Sequence, residues 1–168
     1  MAQHFKITCI DCGESTSFHP LDHTCPACAS AWREAEYDLD FARRSLLENL
    51  LSRAYDLWRY HELLPIHDLQ PSLMMGEGGT PLLRAENLGR LLGLPHLFIK
   101  DERQGPTASL KDRQAALTAS VLLEASINET VVASTGNVAI AFSAYCASAG
   151  IKLWAYITSL VPSPKMHE

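Results

Sequence analysis

The sequence predicts an α/β protein that carries a small cysteine-bearing ribbon at its N-terminus. Four of its five cysteines form two Cys-x-x-Cys pairs near the start of the chain. Residues 130–158 contain a β-branched strand, a turn with glycine, an alanine-rich helix and a second strand, which is a βαβ pattern with parallel strands. A chain of 168 residues has room for a small and a medium domain. We therefore divide it into a ribbon at 1–40, a helical segment at 41–75 and an α/β region at 76–168.

The two cysteine pairs predict a metal site. Its four ligands are Cys9, Cys12, Cys25 and Cys28. Paired thiolates on tight turns supply the tetrahedral sulfur set of a structural metal, and Gly13 and Pro26 fit such turns. Free thiols and disulfides are the alternatives, and disulfides are disfavoured in a cytosolic chain. Zinc is favoured over iron, although thiolates accept both. Four protein ligands close the site, so its expected role is in folding.

Charge and hydropathy patterning exclude several classes of partner. Residues 1–40 carry two basic and seven acidic side chains, so the whole net charge of −5 resides there. An acidic segment repels a phosphate backbone, and we therefore expect no nucleic-acid partner. The first residues lack the apolar core of a signal peptide, and no apolar run approaches the ~18–20 residues of a membrane helix. These features predict a cytoplasmic protein without a membrane partner.

Helical periodicity dominates residues 41–64, after a short exit strand predicted at 37–40. Leucine, alanine and tryptophan recur there at three- and four-residue spacing, and a proline ends the pattern. The aromatic side chains Tyr55, Trp58 and Tyr60 are expected to pack inward, because aromatics at helical spacing usually contribute to a core.

The α/β region opens on a glycine-rich loop at 76–82, which allows close backbone approaches. A short helix at 85–92 and a strand at 96–99 follow it. At the end of a strand at 130–134, the tetrapeptide at 134–137 opens the alanine-rich helix. Its free N–H groups suit a carboxylate or a phosphate, because ligands of parallel sheets sit at such strand ends. A plain strand–helix turn uses the same residue types, so both interpretations stay open.

Lys111 stands out in the loop that precedes a helix predicted at 110–125. Ser109 is placed to cap that helix. The unpaired N–H groups and the dipole of a helix N-terminus disfavour a further positive charge, which makes a lysine there easier to deprotonate. A neutral lysine amine can form a Schiff base with an aldehyde. The alternative is an ordinary solvated lysine at the start of a helix.

Four motifs occur in order along the α/β region. They are Gly-Glu-Gly-Gly-Thr-Pro-Leu (76–82), Lys-Asp-Glu (100–102), Pro-Thr-Ala-Ser-Leu-Lys-Asp-Arg (106–113) and Ser-Thr-Gly-Asn (134–137). Their order and spacing resemble the threonine synthase family, within the pyridoxal-phosphate enzymes of the tryptophan synthase β type. Leu-Trp-Arg-Tyr (57–60), Leu-Leu-Pro (63–65) and the cysteine ribbon resemble its zinc-ribbon-bearing branch. The resemblance covers essentially the whole chain.

The resemblance implies that residues 76–168 are the N-terminal part of a catalytic domain that binds pyridoxal 5′-phosphate, with a parallel sheet and flanking helices. Lys111 would hold the cofactor through its amine and move protons at the substrate carbons. Asn137 would hydrogen-bond the 3′-oxygen of the cofactor. The residues that would contact the substrate carboxylate are Ser134, Thr135 and Gly136. The implied reaction converts O-phosphohomoserine and water to threonine and phosphate, so the expected partner is an amino-acid phosphoester. A homo-oligomer is compatible with the resemblance.

Two departures from the family pattern leave the substrate open. Ala108 and Leu110 stand where the family usually has glycine and phenylalanine, and Ala108 is expected to keep φ negative. Relatives such as cysteate synthase are therefore an alternative. The family also continues beyond Glu168 into a second half, so we expect a truncated fragment with little or no turnover. A non-catalytic zinc-ribbon protein with a vestigial cofactor domain, acting through a partner, is the alternative from another functional class.

Overall fold

The computed structural model describes residues 4–158. Its strands are β1 (Phe5–Cys9), β2 (Ser15–Thr16), β3 (Arg33–Tyr37), β4 (Leu82–Arg84), β5 (Phe98–Lys100), β6 (Glu129–Ala133) and β7 (Lys152–Tyr156). Its α-helices are α1 (Leu39–Asn49), α2 (Glu86–Leu92), α3 (Lys111–Glu124) and α4 (Asn137–Ala149). Three short 3₁₀ helices lie at Leu57–Leu63, Pro71–Leu73 and Glu102–Gln104. Within residues 4–158, every helix is too short or too polar to cross a membrane.

The N-terminal ribbon is an antiparallel sheet with the strand order β2-β1-β3. Phe5, Ile7 and Cys9 point inward on β1, at the two-residue spacing of a half-buried strand. The predicted exit strand at 37–40 is largely wrong, because β3 ends at Tyr37. Asp38 instead caps α1, since its carboxylate accepts the N–H of Phe41 at 2.8 Å.

The helix predicted at 41–64 is divided in the structure. Helix α1 ends at Asn49, and a 3₁₀ helix starts only at Leu57. The cause is a buried ion pair, because Arg53 turns back to bind both the carboxylate of Glu62 and the carbonyl oxygen of Arg59. The Arg53 guanidinium lowers the pKa of Glu62 to about 2. A continuous helix would separate these groups.

The aromatic side chains of this segment are only partly in the core. Trp58 is buried, as predicted, whereas Tyr55 and Tyr60 are exposed, which corrects the prediction for both. The guanidinium of Arg59 lies between these two rings, 5.1 and 5.7 Å from their centroids. It also donates to the carbonyl oxygen of Leu50 at the end of α1, where a cation complements the helix dipole. The tyrosines therefore cover a capping arginine.

The ribbon packs against the segment that follows the 3₁₀ helix. Nε2 of His4 donates to the carbonyl oxygen of Leu64 at 3.1 Å. The ring of Phe5 stacks on His67 with 5.3 Å between the centroids. These contacts join the ribbon to the rest of the described chain.

The glycine-rich loop leads into an antiparallel pair of strands, β4 and β5, in which Leu83 faces Ile99. Helix α2 lies between them in sequence and ends at Gly93 with φ +70°, as predicted. The strand predicted at 96–99 is displaced and occupies Phe98–Lys100.

Strands β6 and β7 are parallel, with α4 between them, which confirms the predicted βαβ unit. Val131 faces Trp154 in the register. Gly150 ends α4 with φ +68°, a left-handed conformation that glycine adopts without strain. Helices α3 and α4 pack on each other and form the main core, whose buried residues are Trp58, Ile66, Leu73, Ala115, Ala116, Ala119, Leu122, Ala141, Tyr145, Cys146 and Ile151. Cys146 is thus a small buried apolar residue.

Candidate functional site

A cavity of about 500 Å³ lies between the end of β5 and the start of α3. Its volume is within the range of roughly 300–1,000 Å³ that is typical of small-molecule sites. Lys111 and Asn137, which are 26 positions apart in the sequence, both line it. The other lining residues are Ile99, Lys100, Asp101, Glu102, Arg103, Ala108, Ser109 and Leu110. The fold therefore brings together the two residues that the sequence singled out for cofactor binding.

The loop before Lys111 is a tight turn. The N–H of Ala108 donates to the carbonyl oxygen of Gly105 at 3.0 Å. Ala108 has φ +55°, so the expectation of a negative φ is wrong. The N-cap position of α3 belongs to Leu110, not to Ser109 as predicted, although Oγ of Ser109 accepts the N–H of Lys111 at 3.0 Å. The helix begins one residue later than predicted.

Replacement of Ala108 by glycine is expected to stabilise the protein. A left-handed conformation costs an L-residue about 1–2 kcal/mol, and glycine avoids this cost. Glycine also loses more conformational entropy than alanine on folding, which cancels part of the stabilisation. We expect the free energy of unfolding to rise by about 0.5–1 kcal/mol in urea denaturation. The matched control is Ala147→Gly on the exposed face of α4, which should lower it by about 1 kcal/mol. If the free energy of unfolding fell in Ala108→Gly as well as in Ala147→Gly, the backbone of Ala108 would not be strained.

Most charged groups around the cavity are already paired. Asp101 accepts two hydrogen bonds from the guanidinium of Arg103, at 2.8 and 2.9 Å, which lower the pKa of Asp101 to about 2. Lys100 donates to the carbonyl oxygens of Thr80 and Gly78. Within residues 4–158, no hydrogen bond or ion pair engages the amine of Lys111, which is half-buried. That amine is therefore available to a ligand.

A second ion pair holds the cavity wall in place. Nε and Nη2 of Arg113 donate to the two carboxylate oxygens of Glu102, both at 2.9 Å. Arg113 is the main cause that lowers the pKa of Glu102. Arg113 also reaches the carbonyl oxygen of Gly78, and the hydroxyl of Thr80 donates to Glu102 at 2.8 Å. Three of the four sequence motifs are thereby connected.

The turn at 134–137 lies at the carboxyl end of β6. The N–H of Ser134 continues the sheet by donating to the carbonyl oxygen of Tyr156 at 3.2 Å. Oγ of Ser134 accepts the N–H of Gly136 at 3.4 Å, and Thr135 is exposed. Among the described residues that line the cavity, Asn137 alone comes from this turn. Ser134, Thr135 and Gly136, which the sequence predicts to contact substrate, are not among the residues that line the cavity.

The four cysteines of the ribbon form one cluster. All four Sγ atoms lie within 4.8 Å of one another, and the pairs Cys9–Cys28 and Cys12–Cys25 are 3.6 Å apart. A tetrahedral zinc site with Zn–S bonds of 2.3 Å has sulfur–sulfur edges of about 3.8 Å, so the geometry fits a metal.

The two turns that carry the cysteines share one backbone pattern. The N–H of Gly13 donates to the carbonyl oxygen of Cys9, and that of Ala29 donates to Cys25, both at 2.9 Å. Gly13 and Ala29 have φ +78° and +60°. Desolvation raises the pKa of Cys9, but backbone N–H groups outweigh it and lower the pKa to about 7. The backbone N–H of Glu14 lowers the pKa of Cys12, but hydrogen bonds to the other thiols and desolvation outweigh it and raise that pKa to about 12, so Cys9 loses its proton more readily than Cys12.

Glu77 is a buried residue that the sequence did not single out. Its carboxylate accepts hydrogen bonds from the indole N–H of Trp58, the phenol of Tyr145 and the N–H of Met75. Burial and this carboxylate raise the pKa of Tyr145 far above its ordinary value, so the phenol stays a donor. Glu77 thereby fixes the glycine-rich loop against α4, the helix that carries Asn137. A charged residue between glycines was the available signal.

The chain matches the family model described as "Pyridoxal-phosphate dependent enzyme" over residues 73–167. It is 32% identical over 162 residues to the threonine synthase of Methanosarcina acetivorans, covering 96% of this chain and 38% of that relative. The threonine synthase of Methanocaldococcus jannaschii is 34% identical over 145 residues, which cover 86% of this chain and 35% of that relative. That of Halalkalibacterium halodurans is 38% identical over 96 residues. The chain thus spans less than two fifths of the length of these relatives.

Proposed function

The chain belongs to the pyridoxal-phosphate-dependent enzyme family, and from this premise we propose that it contributes to a threonine synthase-like lyase. The observation that carries the proposal is the shared cavity of Lys111 and Asn137. Similarity to three threonine synthases supports the choice among the reactions of the family.

Lys111 and Asn137 are the two cavity residues that we propose to hold pyridoxal phosphate. Lys111 offers an amine that no described group engages, and it is the residue that would hold the cofactor covalently. Asn137 would donate a hydrogen bond to the oxygen on the cofactor ring. When bound, the cofactor supplies an electron sink for carbanion chemistry. Lys111 then acts as the group that takes and returns protons at the substrate carbons.

The proposed reaction converts O-phosphohomoserine and water to threonine and phosphate. Ser134, Thr135 and Gly136 lie at a strand end and a helix N-terminus, where N–H groups favour the substrate carboxylate. Lys100 holds the glycine-rich loop at the cavity through Thr80, and so shapes the space available to the substrate.

The four cysteines are proposed to hold a structural zinc in the cytoplasm, where thiols stay reduced. The site lies in the ribbon, and none of its ligands lines the cavity described above. We therefore assign the metal to folding of the ribbon, and we derive no step of the reaction from it.

The proposal is tested by equilibrium dialysis with pyridoxal phosphate as the probe. We expect one saturable site per chain, lost in Lys111→Ala and weakened at least tenfold in Asn137→Ala. Lys152→Ala is the matched control, because that lysine is exposed on β7 and should leave binding unchanged. Addition of O-phosphohomoserine is expected to release little or no phosphate, since the chain spans less than two fifths of the length of its relatives, so cofactor binding is the readout. Equal binding by the wild type and Lys111→Ala would contradict the proposal.

A further inference from the structure

Asp112 follows Lys111 directly and is only 1% exposed. We propose that Asp112 is a positioning residue, which clamps the loop at 105–110 and so fixes where the Lys111 amine stands in the cavity. The inference rests on the proposed function for what the amine is positioned to meet.

Both carboxylate oxygens of Asp112 bind the same residue. Oδ2 accepts the N–H of Thr107 at 3.0 Å, and Oδ1 accepts the hydroxyl of Thr107. Within the described residues, no lysine, arginine or histidine forms an ion pair with Asp112, although the side chain is buried. Both carboxylate oxygens therefore bind Thr107, and neither forms an ion pair with a described cationic side chain. Their effect is to fix Thr107 in two directions.

The backbone of the loop runs directly against this carboxylate. A Cβ placed on Gly105 would stand 2.5 Å from Oδ2 of Asp112, so a larger residue there would displace the carboxylate. The turn from Gly105 to Ala108 is closed by a backbone hydrogen bond, and Ala108 is held at φ +55°. A strained turn of this kind persists only where its surroundings hold it. Asp112, in the first turn of α3, holds this turn through its two hydrogen bonds to Thr107.

The clamp acts on the first turn of α3. Oγ of Ser109 accepts the N–H of Lys111, and Asp112 stands three residues after Ser109, which is the sequence spacing of a capping box. In a standard capping box Asp112 would bind the N–H of Ser109. Here it reaches beyond that residue to Thr107. The position of Lys111 is thereby tied to the loop that lines the cavity, and not only to the helix.

The functional consequence is orientation of the amine. A displacement of about 1 Å of a reacting group can cost on the order of 10²-fold in rate. We therefore expect Asp112→Asn to slow covalent capture of pyridoxal phosphate at Lys111 by about tenfold or more. The amide keeps the size of the carboxylate and can still accept the N–H of Thr107, but its NH₂ must donate to the Thr107 hydroxyl, and both contacts lose the charge of the acceptor that strengthens them.

Because Asp112→Asn removes a buried acceptor and can impair folding, the test also uses Thr107. Thr107→Val deletes the hydroxyl and keeps the shape, whereas Thr107→Ser keeps the hydroxyl. The intact chain and each variant are reacted with pyridoxal phosphate and borohydride, and in parallel with formaldehyde and cyanoborohydride. The rate at Lys111 is measured by mass spectrometry in both reactions. Formaldehyde is small and needs little orientation, so the ratio of the two rates reports positioning.

We expect this ratio to fall about tenfold in Asp112→Asn, severalfold in Thr107→Val, and not at all in Thr107→Ser. Hydrogen exchange at the Lys111 amide, which donates to Oγ of Ser109, should accelerate in the first two variants only. An unchanged ratio in folded Asp112→Asn would overturn the inference, as would equal effects of the two Thr107 variants. Absence of capture at Lys111 in the wild type would refute the proposed function instead. The exchange rates, which need no cofactor, would then decide whether the clamp exists.

Discussion

Replacement of Cys25 by serine is expected to unfold the ribbon and to leave the α3–α4 core intact. The buried side chains of the ribbon are few, chiefly Phe5, Ile7, Cys9 and Cys25 itself. Segments below about 40 residues seldom fold without a metal or disulfides. Structural zinc contributes roughly 10–16 kcal/mol of apparent binding free energy in small zinc modules. Loss of one thiolate ligand should therefore remove most of the free energy that stabilises the folded ribbon.

The measurement is hydrogen exchange resolved along the chain, together with metal content. Amides of 5–37 should exchange at least a hundredfold faster in Cys25→Ser, while those of α3 and α4 keep their protection. The core cluster contains no ribbon residue, which is why the two responses should separate. Cys146→Ala is the matched control, because it removes a buried cysteine outside the cluster of four and should retain the metal. A Cys25→Ser protein with full metal content and protected ribbon amides would contradict the assignment.

Replacement of Glu77 by alanine is expected to cause a comparably large loss of stability in the core. The substitution leaves the indole of Trp58, the phenol of Tyr145 and the N–H of Met75 without their acceptor. An unsatisfied buried polar group costs about 1–3 kcal/mol, so the two buried donors, Trp58 and Tyr145, together cost roughly 2–6 kcal/mol. Folded domains are stable by only about 5–15 kcal/mol. Urea denaturation should therefore show a strongly lowered midpoint.

A double-mutant cycle identifies the cause. Tyr145→Phe alone should cost about 1–2 kcal/mol. Combined with Glu77→Ala it should add less than its single effect, because its partner is already absent. Glu86→Ala is the control, since this glutamate is exposed and its nearest arginine is 3.8 Å away. A change below about 0.5 kcal/mol is expected there. If Glu77→Ala also lowered the free energy of unfolding by less than about 0.5 kcal/mol, the proposed role of the buried carboxylate would be refuted.

Local signals predicted much of the fold correctly. Gly93 and Gly150 end their helices in left-handed conformations, and the strand predicted at 130–134 is present as β6 (Glu129–Ala133) in the parallel pair, one residue earlier. These features depend on a few adjacent residues, so a local pattern is sufficient. The spacing of the cysteines likewise predicted a cluster, because two tight turns bring four thiols together.

Other features depend on partners that are distant in sequence. The division of the predicted helix at 41–64 follows from a buried pair between Arg53 and Glu62, whereas the apolar periodicity favoured one continuous helix. Leu51, which contributed to that periodicity, is 97% exposed. The positive φ of Ala108 is imposed by its loop and contradicts the preference of an isolated alanine. Tertiary contacts outweighed local propensity in each case.

The candidate site shows the same division. Position at a helix start and at a strand end drew attention to Lys111 and to the turn before Asn137, but their cofactor roles were implied only by the resemblance of the four motifs to a family. The roles of Asp112 and Glu77 were not recognisable, because their partners lie in other segments or reach backwards along the loop. The Ser-x-x-Asp spacing at 109–112 was a readable capping signal. It predicts contact with Ser109, whereas the structure shows contact with Thr107.

The central claim is that Lys111 carries the cofactor, and borohydride trapping tests it most directly. The chain is incubated with pyridoxal phosphate, reduced and digested, and the added mass is assigned to individual lysines. We predict saturable labelling at Lys111, lost in Lys111→Ala. Lys100 lines the same cavity but should stay unlabelled, because its amine is engaged by Thr80 and Gly78. Labelling spread evenly over several lysines, and unchanged in Lys111→Ala, would contradict the claim.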